Sequence, residues 1–211
     1  MNYFFDLDGT LTESWSEITS KLFDVLNHIR TKVIISGADE RQMRSQLAGL
    51  RCSVMSQNGN INDLWKRLLT PEEKAKIHAH IALYSPHLMN DKVEDRGAQI
   101  SYSCVGHHSN LDVKKAFDPS REKRREILAK YPPPEGIEIN IAGTTCLDYF
   151  PTGLNKAANI LRYMELKKWK RRECVYIGDA LVPGGNDESM IGVLPTLQVK
   201  NWQETHKYLT T

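Results

Sequence analysis

Two aspartates two residues apart, Asp6 and Asp8, followed at once by Gly9 and Thr10, are the part of this chain best suited to chemistry. They come directly after Asn2 to Phe5, a short and largely aromatic stretch with no 3.6-residue recurrence, which reads as a buried strand. Open α/β sheets bind ligands beyond the carboxyl ends of their strands, so the pair stands where a site belongs. Two carboxylates in one site divide the work, one bare enough to act as a nucleophile and the other placed to give and take protons. Gly9 lets the chain turn sharply, and the turned backbone N–H groups then face an anion.

Further along, Ser36-Gly37 ends the β-branched run Val33-Ile34-Ile35, Lys156 opens a helical stretch, and Asp179 and Asp187 follow the apolar run Cys174 to Ile177. Taken singly, Ser36-Gly37 is as well explained by a helix cap or a turn, and Lys156 by a solvated first helical turn. The acidic, glycine-rich stretch from Gly178 to Asp187 is harder to explain by core packing. The order of these residues along the chain carries more than any one of them.

The elements that must position them are α/β in rhythm. A helix up to Arg30, with a cap near Ser14 or Ser16, is expected from Leu22, Val25, Leu26 and Ile29; a second runs from Asp39 to Leu47, and a strand from Cys52 to Ser56. Alternating strand and helix imply a parallel sheet covered on both faces. From Pro71 the pattern changes. A helix from Pro71 to about Leu83 precedes alternating strands at Val93–Arg96, Gln99–Cys104, Ile137–Ile141 and Leu147–Phe150, with a charged helix from Ser120 to Tyr131 stopped by three prolines. The α/β rhythm then returns with a helix from Lys156 to Met164, strands at Cys174–Ile177 and near Leu197, and a closing helix from Asn201.

Composition bounds the function. In 211 residues, 28 Lys plus Arg against 26 Asp plus Glu leave a net charge of +2, so no global imbalance draws the chain to nucleic acid or anionic lipid. The four cysteines show no C-x-x-C pair or zinc spacing, and no run approaches the ~20 apolar residues of a membrane span. A cytoplasmic, reducing setting is expected. His78 and His80 sit two apart on a predicted helix and read as surface, and the basic run Lys167 to Arg172 reads as a solvated turn rather than a nucleic-acid patch.

The ordered set Asp6-x-Asp8-Gly9-Thr10, Ser36, Lys156 and Asp179 with Asp187 resembles the motifs of the haloacid dehalogenase superfamily of phosphotransferases. That resemblance implies a Rossmann-like parallel-sheet core formed by residues 1–72 and 151–211, with an inserted α+β cap of the C2 type at 73–150. It implies Mg2+ held by Asp6, the Asp8 backbone carbonyl and Asp179, with Asp187, or Asn186, completing the set through water. Asp6 then forms an aspartyl-phosphate, Asp8 handles the protons, and Ser36, Gly37, Lys156 and the Gly9-Thr10 turn hold the phosphoryl group.

Within that superfamily, Asp148-Tyr149-Phe150-Pro151-Thr152-Gly153-Leu154-Asn155-Lys156 and Pro183-Gly184-Gly185-Asn186-Asp187 are similar to segments of eukaryotic-type phosphomannomutases. By the same likeness Arg96, His107 and Asp148 are expected to lie against the substrate, and the cap is expected to be able to form a homodimer. The departures lie in the cap: His107 stands where the mutases carry an arginine, and Lys114 near a further one. Imidazole and ammonium do not bind phosphate by a bidentate fork. Cys146 also replaces a serine and Asn155 an acid. The reading is therefore a Mg2+-dependent hydrolase, a phosphatase of a small phosphorylated metabolite such as a sugar phosphate. A phosphomannomutase is the alternative, and a non-catalytic phospholigand- or nucleic-acid-binding module is the rival of another class.

Overall fold

The computed structural model describes residues 1–85 and 91–211. It divides into two compact units, Met1–Lys66 with Leu154–Thr211, and Arg67–Gly153. The second unit starts at Arg67 rather than at 73 because Leu69 packs with Ile77, Ile81 and the apolar face of that unit's sheet.

The first unit is built on a parallel sheet of strands β1 (Asn2–Phe5), β2 (Lys32–Ile35), β3 (Ser53–Met55), β8 (Cys174–Gly178) and β9 (Thr196–Gln198), in the order β3-β2-β1-β8-β9. Parallel strands need crossovers, and these are supplied by α1 (Ser20–His28), α2 (Glu40–Gln46) and α6 (Lys156–Lys167), with α7 (Trp202–Thr210) closing the chain. Two apolar clusters follow from alternation along the strands: Phe5, Ile34 and Ile177 point to one, and Phe4, Val33, Ile35 and Tyr176 to the other.

The second unit carries an antiparallel sheet of β4 (Val93–Asp95), β5 (Ile100–Ser103), β6 (Ile137–Ala142) and β7 (Cys146–Pro151), ordered β4-β5-β7-β6, with helices α3 (Pro71–Ala82), α4 (Leu111–Phe117) and α5 (Glu122–Lys130). Helix α3 starts with a capping box, Thr70 accepting from the Glu73 N–H while the Glu73 carboxylate accepts from the Thr70 N–H. Arg124 is buried and donates to Asp118 at 2.8 Å and to the carbonyls of Ala142 and Gly143, tying α5 to the β6–β7 turn.

Three sequence expectations change. Helix α1 begins at Ser20 with Thr19 as its cap, not near Ser14 or Ser16, because Trp15 takes a left-handed φ of 62° that no helix start continues. Helix α4 was not expected; it contains no buried residue, so no apolar stripe announces it. His78 is exposed as expected, but His80 is buried: its Nδ1 meets the Tyr149 hydroxyl at 3.1 Å and its Nε2–H faces the Tyr131 and Pro132 carbonyls. Spacing on α3 could not tell which of the two histidines turns inward. In the basic run, Lys168 and Lys170 to Arg172 are exposed, while Trp169 is half-buried and packs edge-on against Phe4 with ring centres 6.0 Å apart.

Candidate active site

Strand register brings the first group of residues together. Phe5 is level with Ile34 of β2 and with Ile177 of β8, so Asp6, Ser36 and Asp179 all emerge at the carboxyl ends of three adjacent strands. Asp6 is held there by its own N–H, which donates to the Ile177 carbonyl at 2.9 Å. Lys156 arrives from far along the chain as the first residue of α6, whose cap is Asn155, with its side-chain oxygen accepting from the Ala158 N–H. The acid that the resemblance places before the lysine is thus replaced here by a residue that starts the helix.

The Lys156 ammonium is fully buried and divided between two carboxylates, Asp6 Oδ1 at 2.5 Å and Asp187 Oδ1 at 2.7 Å. Tyr176, on β8, donates its hydroxyl to the same Asp187 oxygen at 2.6 Å, and the Ala180 N–H reaches Asp187 Oδ2 at 3.3 Å. The Thr10 hydroxyl lies 3.5 Å from Asp6 Oδ2, and the Thr10 carbonyl is anchored by the Thr205 hydroxyl of α7 at 2.7 Å. Ser36 is buried, its Oγ accepting from the Ala38 N–H at 3.1 Å and its carbonyl from the Asn58 N–H at 2.8 Å. Gly37 and Asn186 are half-buried beside Ser36 and Asp187 in the chain.

Asp6, Asp179 and Asp187 each offer a carboxylate oxygen within 4.8 Å of the others. Burial pushes the Asp6 carboxyl well above its usual range; Lys156 opposes the shift, and Asp187 and Asp179 add to it. Burial likewise works against the charge of Lys156, but Asp187 and Asp6 outweigh it and raise the ammonium above its usual range. One ammonium does not neutralise three carboxylates in this space, so the site carries excess negative charge. All the donors are hard oxygens, as Mg2+ prefers. Gly9 has φ +83°, and a Cβ there would stand 2.6 Å from Asp179 Oδ2, so only glycine lets that carboxylate approach the turn.

Asp8, two residues on, is tied to the loop and to α2. It bridges to Thr12, and its Oδ1 accepts from the Gln46 amide at 2.9 Å. Neither Gln46 nor Tyr176 was singled out in the sequence. The signal for Gln46 was a polar residue between Met43 and Leu47 on a helix face that otherwise packs inward; Tyr176 gave none, since a tyrosine in a strand reads as core.

The other expected substrate residues, Arg96, His107 and Asp148, lie in the second unit. Arg96 is paired with Glu94 at 2.6 Å; burial disfavours its charge, but Asp148 and Glu94 hold its guanidinium above the usual value. Asp148 accepts from the Ser101 hydroxyl at 2.6 Å and from Gln99 at 3.2 Å. The His107 Nε2–H donates to the Ser101 carbonyl at 3.1 Å, and the Lys114 ammonium to the His107 carbonyl.

A haloacid dehalogenase-like hydrolase from Bacillus subtilis superposes with a TM-score of 0.71 at 14% identity, matching 99% of this chain and 92% of its own. The fold is that of the haloacid dehalogenase superfamily. A subclass IIB sugar phosphatase of that superfamily shares it with a TM-score of 0.61 and 20% identity, over 99% of this chain and 90% of the other. In sequence, the chain is 27% identical to the phosphomannomutase of Saccharomyces cerevisiae over 98% of its own length and 91% of the relative. No family model matches the chain. Among the described residues no helix is long and apolar enough to cross a membrane.

Proposed function

We propose that this chain is a Mg2+-dependent phosphatase of a small phosphorylated metabolite, a sugar phosphate, acting through an aspartyl-phosphate on Asp6. The observation that carries the reading is the buried Lys156 ammonium shared by Asp6 and Asp187 beside Asp179, at the carboxyl edge of a haloacid dehalogenase fold. Asp6, Asp179 and Asp187, with the Asp8 backbone carbonyl, are the residues to hold Mg2+. Bound there, the ion neutralises phosphoryl oxygens as a Lewis acid.

The chain's own groups do the rest. The Lys156 ammonium orients Asp6 and offsets charge on the transferring group, joined by the Ser36 hydroxyl and the N–H groups of the Gly9-Thr10 and Gly37 turns. An Asp6 oxygen attacks phosphorus, and Asp8 gives a proton to the leaving oxygen and later takes one from the attacking water.

The charge arrangement of the second unit favours hydrolysis over mutase chemistry. A mutase must hold a second phosphate, yet Arg96 is engaged by Glu94, His107 by the Ser101 carbonyl and Lys114 by the His107 carbonyl. The second reading, a phosphomannomutase, is favoured by the 27% identity to the yeast enzyme along nearly the whole chain. Two assays separate them: phosphate release from a panel of hexose, pentose and triose phosphates, and conversion of mannose 1-phosphate to mannose 6-phosphate with a hexose bisphosphate primer. Phosphate release unchanged by EDTA, or equal in Asp6→Asn, defeats both. The reading carries a reducing, cytoplasmic setting with it, in keeping with the four cysteines being thiols. Dimer formation through the cap is read out by sedimentation.

A further inference from the structure

Gln46 ends α2, is buried, and donates both N–H bonds of its side-chain amide to the loop that carries Asp8: one to Asp8 Oδ1 at 2.9 Å and one to the Thr12 hydroxyl at 2.9 Å. Its own oxygen accepts from Gln42 Nε2 at 3.1 Å, which fixes the amide's orientation, since a flipped amide would turn its oxygen toward the Asp8 carboxylate. The backbone joins in: the Gln46 carbonyl accepts from the Ile18 N–H at 2.8 Å, and the Thr12 carbonyl from the Gly9 N–H at 2.8 Å. A buried amide that served packing alone would not need to spend a donor on a half-buried carboxylate.

We propose that Gln46 is the positioning residue for proton transfer, holding Asp8 by Oδ1 so that Oδ2 carries the mobile proton; the proposal rests on the phosphoryl-transfer reading above. In the first half-reaction an Asp6 oxygen bonds to phosphorus, the ester P–O bond breaks, and the leaving oxygen takes the Oδ2 proton. In the second, water bonds to phosphorus, returns a proton to Oδ2, and the bond between Asp6 and phosphorus breaks. Gln46 touches none of the reacting atoms. Its effect is confined to the orientation of the acid.

The dependence on leaving group tests this. p-Nitrophenolate departs without a proton, whereas the alkoxide of a sugar phosphate needs one, and a placed acid contributes roughly 10²–10⁴-fold. For Gln46→Met, kcat/KM, which reports the first half-reaction alone, is expected to fall by about 10–100-fold on the best sugar phosphate of the panel and by less than about threefold on p-nitrophenyl phosphate, while kcat, which includes the water attack common to both esters, falls on both. Asp8→Asn is expected to show the same selectivity, and the double variant no further loss. Gln46→Glu, which keeps the size but turns an acceptor toward Asp8, must behave likewise, and thermal melts of both variants confirm folding. Equal losses of kcat/KM on the two esters, or additive losses in the double variant, overturn the role of Gln46 alone. A wild type that hydrolyses neither ester, or an Asp6→Asn variant as active as wild type, overturns the phosphoryl-transfer reading and the proposal with it.

Discussion

Lys156 Nζ lies 2.5 Å from Asp6 Oδ1 across 150 residues of sequence, with both groups buried. The pair joins the first strand of the core to the helix that follows the whole second unit. Lys156→Met removes the ammonium at little change of volume and leaves Asp6 and Asp187 facing each other. Activity is expected to fall by about 10²–10³-fold in kcat at saturating Mg2+, the loss typical of removing one preorganised donor to a developing oxyanion. Steady-state kinetics on p-nitrophenyl phosphate measure it.

Excess negative charge among Asp6, Asp179 and Asp187 makes the fold itself sensitive to divalent cation. Added Mg2+ is expected to raise the melting temperature in a saturable way, because a ligand that binds only the native state stabilises it by mass action. Asp179→Ala should abolish the shift. A melting temperature indifferent to Mg2+ in the wild type counts against the site.

Gly9→Ala introduces a Cβ 2.6 Å from Asp179 Oδ2 on a backbone with φ +83°. The carboxylate has to move, and the Mg2+ concentration giving half-maximal activity is expected to rise by about tenfold or more, as it does when the support of a metal ligand is disturbed. Isothermal titration with Mg2+ gives the same comparison without turnover.

Acid stability of the second unit turns on Asp118. Burial raises its carboxyl pKa, but bonds from the Arg124 guanidinium and the Arg124 and Lys123 N–H groups outweigh burial and hold it below the usual range. A depressed folded pKa stabilises the native state above the unfolded value of about 3.9, and that stability is lost as pH falls through the folded value. The difference in urea midpoint between wild type and Asp118→Asn is therefore expected to be constant near neutrality and to shrink below about pH 4. Arg124→Leu leaves the carboxylate buried without its partner and is expected to cost about 3–5 kcal/mol in the same measurement.

Much of the core was legible because its signals are local. The Asp6-x-Asp8-Gly9 turn follows directly from a strand, and strand runs such as Val33 to Ile35 and Cys174 to Ile177 announce themselves by side-chain type alone. Helix α4 and the left-handed turn at Trp15 were not legible, since the first buries nothing and the second obeys no period. The separation of His78 from His80 was equally hidden: both occupy a helix of weak amphipathic character, and only the placement of Tyr149 makes the second a buried partner.

By itself the sequence determined which residue types could do phosphoryl chemistry and in what order they occur, because carboxylates at a strand end and a lysine at a helix start are properties of a few adjacent residues. Only the tertiary structure decided which of them meet: that Lys156 is divided between Asp6 and Asp187, that Tyr176 holds Asp187, and that Gln46 holds Asp8. Those contacts depend on the register between strands and on which face of a helix turns inward, and both are settled by packing between segments far apart in the chain.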